Sequence, residues 1–161
     1  MRIAVGCDHA GFPLKQEILE LLQSLGHTAD DLGTFSTAPA DYPDYARKVA
    51  ETVLSGACER GVVVCGSGVG ASVAASKVPG IRAALCHDTF SARQGVEDDD
   101  LNVVCVGARV IGPMLAAEVL KAFLAARFSG AERHERRLGK IRKIEEDARR
   151  GVFDAFQGRK S

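Results

Sequence analysis

Apolar residues fall into short unbroken runs, separated by longer stretches in which they recur every three or four positions. The runs are Arg2-Ile-Ala-Val-Gly-Cys7, a weaker one over 27–32, Gly61-Val-Val-Val-Cys65, 81–86 and 102–106. They are rich in Val, Ile and Ala with little polar alternation, so they read as strands buried on both faces, as in a parallel sheet. The stretches 13–25, 45–54, 69–77, 91–97 and 113–128 carry helical spacing, and a charged helix follows over about 131–150. Pro13 opens the first helix and Gly26 closes it, and Gly112-Pro113 opens the fifth. Strand–helix alternation predicts an α/β fold, with helices on both faces of the sheet. Nothing resembles a linker or a repeat, so 1–150 reads as one domain. Residues 151–161 read as a tail, either disordered or packed on a partner subunit.

Charge narrows the function classes. Lys plus Arg and Asp plus Glu number 21 each, so net charge gives no reason to expect nucleic acid or a membrane as partner. The distribution is uneven, with basic residues gathered over 133–150 and an acidic run at Glu97-Asp-Asp-Asp100. No stretch reaches the ~18 apolar residues of a membrane span. The strand-like start lacks the pattern of a signal peptide, and a cytoplasmic location is expected. The five cysteines (7, 58, 65, 86 and 105) are odd in number and lack CxxC spacing, so free buried thiols in a reducing compartment are expected. No Cys/His pair has zinc-ligand spacing, and no metal is expected.

Ligands of open parallel sheets bind at the carboxyl ends of the strands. Those ends here are Cys7-Asp8-His9, Cys65-Gly-Ser-Gly68, His87-Asp88 and Gly107-Ala-Arg109. Gly66-Ser-Gly-Val-Gly70 between strand and helix presents a row of backbone N–H groups suited to a phosphate or a transient oxyanion, or it is a tight turn without a ligand. The match to GxGxxG is imperfect and a Walker lysine pattern is missing, which makes dinucleotide or ATP binding a second choice. Cys65 at the mouth of this loop is either a small core residue or a thiolate acting as nucleophile or base, since a helix start is a setting that favours thiolates. Asp8 suits an N-cap, which leaves His9 unexplained. Arg133 and Arg137, spaced i,i+4, share a helix face that is either a phosphate fork or simply solvated. Arg109 is a third candidate cation.

These motifs together resemble the ribose-5-phosphate isomerase B family, which also includes galactose-6-phosphate isomerase. The resemblance spans about 1–145. It rests on Gly6-Cys-Asp-His-Ala-Gly-Phe12, Asp41-Tyr-Pro43, Cys65-Gly-Ser-Gly-Val-Gly70, Pro79-Gly-Ile-Arg-Ala83, Asn102-Val103, Gly107-Ala-Arg-Val110 and Arg133-His134 with Arg137. It implies a Rossmann-like three-layer sandwich with a five-stranded parallel sheet and an extra C-terminal helix. It also implies a homodimer with a shared active site, or a tetramer, and no cofactor.

The implied reaction interconverts aldose and ketose sugar phosphates, ribose 5-phosphate and ribulose 5-phosphate first among them, through a cis-enediolate. Cys65 would move the proton between C1 and C2. The nest of Gly66, Ser67, Gly68, Val69, Gly70 and Ala71 would hold the enediolate oxygen, and Ser67, often Thr in relatives, would assist the proton shuttle. His9, Arg109, Arg133 and Arg137 would bind substrate and phosphate, and Asp8 the sugar hydroxyls. One position departs: many relatives carry a ring-opening His where this chain has Asp98, followed by Asp99 where Asn is common. An ordinary carboxyl is ionised at neutral pH and gives up no proton to a ring oxygen. The alternatives are therefore an isomerase of another sugar phosphate (tetrose, allose or galactose) or a non-catalytic sugar-phosphate-binding relative.

Overall fold

A computed structural model describes residues 1–154 of the chain. Its elements in order are β1 (Arg2–Cys7), α1 (Phe12–Ser24), β2 (Thr28–Asp31), α2 (Tyr42–Leu54), β3 (Arg60–Cys65), α3 (Val69–Ala75), β4 (Ala83–Leu85), α4 (Thr89–Asp99), β5 (Val103–Gly107), α5 (Pro113–Ala125) and α6 (Glu132–Arg149). They fall into two compact units, Met1–Phe128 and the segment from Ser129 onward, which holds α6. The five strands form one sheet in the order β2-β1-β3-β5-β4, and every neighbouring pair is parallel. This is the expected Rossmann-like arrangement. The order reverses between β1 and β3, which opens a crevice at their carboxyl ends.

The unalternating apolar strands are explained by burial on both faces. Ile3, Val5, Val62, Val64, Val104 and Val106 face a cluster with Ile18 and Leu22 of α1, Val96 of α4 and Leu120 and Phe123 of α5. Ala4, Val63, Cys65, Val103 and Cys105 face the other side, against Val49 of α2 and Ala71 and Ala75 of α3. The second face uses smaller side chains, so α2 and α3 approach the sheet closely. Cys65 belongs to this side.

Several boundaries differ from those expected. Helix α2 starts at Tyr42, three residues early, because Pro43 lies in its first turn, where a missing N–H costs nothing. Helix α4 starts at Thr89, since the Asp88 side chain accepts the Ser91 N–H at 2.7 Å and caps it. Helix α5 stops at Ala125, with Ala126 extended. The Arg60 guanidinium binds the carbonyls of Phe123 and Ala126, and Arg127 binds those of Leu124 and Ala126. Two arginines thus satisfy carbonyls that the last helical turn leaves open. Most of the tail, 155–161, lies outside the described residues.

Candidate active site

Strand β3 ends at Cys65, and the chain turns through Gly66 and Ser67 to Gly68, where φ is +79°. A side chain on Gly68 would be strained in that left-handed conformation and would press on Val106 and Gly107. With glycine there, the turn closes tightly enough for the Gly68 N–H to donate to Cys65 Sγ at 3.1 Å. The sulfur is thereby held at the mouth of the loop. Helix α3 follows, and its first intrahelical bond runs from Ser72 N–H to the Gly68 carbonyl. The N–H groups of Val69, Gly70 and Ala71 therefore have no intrahelical acceptor. That of Val69 donates to Ser67 Oγ at 3.3 Å.

Two neighbouring strand ends complete the local frame. After β1, Asp8 Oδ1 accepts the N–H groups of Ala10 and Gly11 at 2.9 and 2.8 Å, which anchors the turn into α1. Asp8 is only 6% exposed. His9 follows, with Nδ1 3.1 Å from both the nitrogen and the oxygen of Ala40. After β5, Ala108 N–H donates to the Cys65 carbonyl at 2.9 Å and Arg109 N–H to that of Gly66 at 3.0 Å. The Arg109 side chain reaches over Gly66.

Between these ends lies a cleft of about 380 Å³, lined by Asp8, His9, Ala10, Tyr42, Cys65, Gly66, Ser67, Gly70, Arg109 and Val110. Chain segments far apart in sequence thus bring together a thiol, a hydroxyl, an imidazole, a guanidinium and unpaired backbone donors. Such a set can move a proton and stabilise the oxyanion that results.

The expected residues divide in two. Asp8, His9, Cys65, Gly66, Ser67, Gly70 and Arg109 line the cleft. Gly68, Val69 and Ala71 shape the turn behind it without lining it; Ala71 is fully buried and Val69 is exposed. Asp98 and Asp99 end α4 and do not line the cleft. Asp98 Oδ2 accepts from Gln94 Nε2 at 2.6 Å. Arg133 and Arg137 stand exposed, one turn apart on α6, in the second unit.

Sequence reasoning did not assign Tyr42 to the site. Its ring packs over Gly70, where an added Cβ would lie 2.7 Å from the ring. The sequence signal was the Asp41-Tyr-Pro43 motif, but only the packing of α2 on α3 shows where the ring goes.

The other four cysteines are buried and held as thiols. Desolvation is the main cause in each case. It pushes Cys7, Cys58 and Cys86 up to about 11 and pushes Cys105 up as well, helped by its neighbours Cys65 and Cys86.

Comparison with known proteins agrees with this architecture. A model of the Ribose/Galactose Isomerase family matches residues 3–141. The chain is 43% identical to ribose-5-phosphate isomerase B of Escherichia coli over 145 residues, which is 90% of this chain and 97% of that one. It is also 43% identical to D-erythrulose-4-phosphate isomerase of Pectobacterium atrosepticum, over 81% of this chain and 86% of the other. The solved structure of ribose-5-phosphate isomerase B from Clostridium thermocellum superimposes with a TM-score of 0.90 at 47% identity, covering 92% of this chain and 99% of that one.

Proposed function

The chain belongs to the ribose/galactose isomerase family and is a sugar-phosphate isomerase, and from that premise we propose that Cys65 is the base that moves the proton. The single observation that carries the proposal is the thiol of Cys65 at the cleft, held by the Gly68 N–H beside Ser67 and a row of backbone donors. The thiolate takes the proton from C2 of an open-chain aldose, and the electron pair moves into the C1 carbonyl. The resulting enediolate oxygen is held by the loop N–H groups left open at the cleft, that of Gly70 among them. Returning the proton to C1, while the C2 hydroxyl proton passes to the oxygen on C1, gives the ketose. A carbon acid is too weak for a thiolate unless the oxyanion is stabilised as it forms, and this is why thiol and nest must be adjacent.

Ser67 relays the proton between oxygens, and His9 binds sugar hydroxyls, with its Nδ1 already engaged by Ala40. The carboxylate of Asp8 serves first to hold the β1–α1 turn, with any sugar contact secondary. Arg109, Arg133 and Arg137 are the proposed phosphate ligands, because guanidinium groups pair with phosphate in bidentate fashion. The reading extends to a cytoplasmic homodimer that shares its active sites. A second copy would supply groups that the cleft lacks, Asp98 and Asp99 among them.

Two substrates compete, and each has support. Ribose 5-phosphate is favoured by the likeness to the Escherichia coli and Clostridium enzymes. A tetrose phosphate is favoured by Asp98 and by the likeness to the erythrulose-phosphate enzyme, since a four-carbon phosphate forms no stable phosphorylated furanose and needs no ring-opening acid. The test is a coupled assay of the purified protein on ribose 5-phosphate, D-erythrulose 4-phosphate, galactose 6-phosphate and allose 6-phosphate. Turnover of any of them that is lost in Cys65→Ala supports the mechanism. Full turnover by that variant refutes it, and failure on all four makes the chain a binding relative.

A further inference from the structure

Strand β4 pairs with β5 only over Ala83–Leu85, opposite Val103 to Cys105, and the last backbone bond between them runs from Cys86 N–H to the Cys105 carbonyl at 3.1 Å. A continued ladder would next give the Gly107 N–H a backbone carbonyl on β4. Instead, His87 turns its ring in, and its Nε2 accepts the Gly107 N–H at 2.9 Å. A ring nitrogen that accepts this N–H carries no hydrogen of its own. A side chain thus replaces the missing ladder acceptor at the carboxyl end of β5.

The peptide it holds sits beneath the site. Gly107 packs so closely on Ser67 that an added Cβ would lie 2.5 Å from the Ser67 carbonyl group. The Gly107 carbonyl accepts the N–H groups of Val110 and Ile111 at 2.9 and 3.1 Å, which closes the turn that presents Arg109. His87 itself does not line the cleft. We infer that His87 is a positioning residue: through the Gly107 N–H it fixes the turn that seats Ser67 from below and presents Arg109 to the substrate.

The inference rests on the isomerase reading for its catalytic consequence. Its structural part stands on the hydrogen bond alone. Three variants test it. His87→Phe keeps a flat ring but offers no acceptor, and we expect kcat/KM to fall about tenfold or more on whichever of ribose 5-phosphate and D-erythrulose 4-phosphate is turned over. His87→Gln puts an amide oxygen near the position of Nε2, and should return kcat/KM to within about threefold of the parent protein. In an Arg109→Ala background the His87→Phe factor should shrink, since part of what His87 secures is the placement of that side chain.

A purely packing role predicts otherwise: Gln would do no better than Phe, and the two penalties would multiply. Either result overturns the inference. Hydrogen exchange at the Gly107 amide gives a readout that needs no turnover. The parent protein should protect that amide, and His87→Gln should protect it more than His87→Phe. A freely exchanging Gly107 amide in the parent protein refutes the hold of His87 outright. Absence of isomerisation by the parent protein on every sugar phosphate refutes the isomerase reading instead, and the exchange result then decides the role of His87 alone.

Discussion

The Cys65 loop and the end of α4 are both places where chemistry-bearing residues crowd together, but they are built in opposite ways. In the loop, positions are set by backbone groups. The Gly68 N–H fixes the sulfur, the Val69 N–H reaches Ser67, and Ala108 and Arg109 bind the carbonyls of Cys65 and Gly66. At the end of α4, the acidic side chains pair with other side chains. Glu97 pairs with Arg93 at 2.7 Å, Asp98 with Gln94 at 2.6 Å and Asp100 with Arg82 at 2.7 Å. A site made of backbone dipoles cannot relax away from a developing charge, which is how oxyanion stabilisation gains its strength. A site made of partly exposed side-chain pairs is more adjustable, since each partner can change rotamer where a backbone dipole in a tight turn cannot. The first region is therefore expected to govern the rate, and the second to adjust which sugar is accepted.

The largest effect should come from removing the sulfur. Cys65→Ala is expected to lower kcat by about 10²–10⁴-fold, the scale of a lost general base, with KM within a few-fold. Steady-state kinetics on the preferred sugar phosphate measures this, and a variant with near-normal kcat would reduce Cys65 to a packing residue. Alkylation offers a parallel check. The thiols at positions 7, 58 and 86, pushed up to about 11 by burial, stay protonated at pH 8, and Cys105, pushed up too, does the same. Since the thiolate is the reactive form, iodoacetamide at pH 8 should modify Cys65 first and inactivate in a single event, with a substrate analogue slowing both. Mass spectrometry showing first modification elsewhere would break the contrast among the five.

Phosphate recognition comes next. Arg137→Ala and Arg133→Ala should each raise KM by roughly the 1.5–3 kcal/mol of a charge-assisted hydrogen bond, about 10–100-fold, while kcat changes less. Unchanged KM in both variants would make this face of α6 merely solvated. Arg109→Ala should behave similarly but lower kcat as well, because the side chain also lies over Gly66 at the cleft.

Most of this contrast could be read before any coordinates, and what could not had a physical cause. The sheet was legible because burial on both faces removes polar alternation, as in Gly61 to Cys65. The loop was legible because glycine at fixed spacing after a strand has few other uses, and Gly68 indeed takes a left-handed φ. Helix α2 starts three residues ahead of its apolar spacing, which begins at Tyr45, and there the signal is local, in Pro43. Three other features depend on long-range packing instead. The end of α5 was set by Arg60, a residue of β3 more than sixty positions away. Tyr42 over Gly70 and His87 beneath Gly107 follow from which strands and helices lie side by side, which no local pattern reports. Arg133 and Arg137 were legible as a shared face of a helix and no further, since spacing gives a face without giving its ligand.

The smallest expected effect lies at the adjustable region and separates the two substrates. Opening a furanose ring calls for a group that can hand a proton to the ring oxygen near neutral pH, and an imidazole with its ordinary pKa near 6.5 can do this where an ordinary carboxyl cannot. Asp98→His should therefore raise kcat/KM for ribose 5-phosphate by a few-fold and leave D-erythrulose 4-phosphate almost unchanged, because a tetrose phosphate has no such ring to open. The gain should follow the imidazolium, being greatest below about pH 6.5 and fading as the pH rises through that value. Measuring both substrates across pH 5.5–8.5 reads the effect directly. Equal changes on the two sugars would mean that position 98 acts on binding and has no part in ring opening. Loss of ribose turnover in the variant would mean that the carboxylate already performs the step, and the acidic end of α4 would then be as firmly organised for chemistry as the loop.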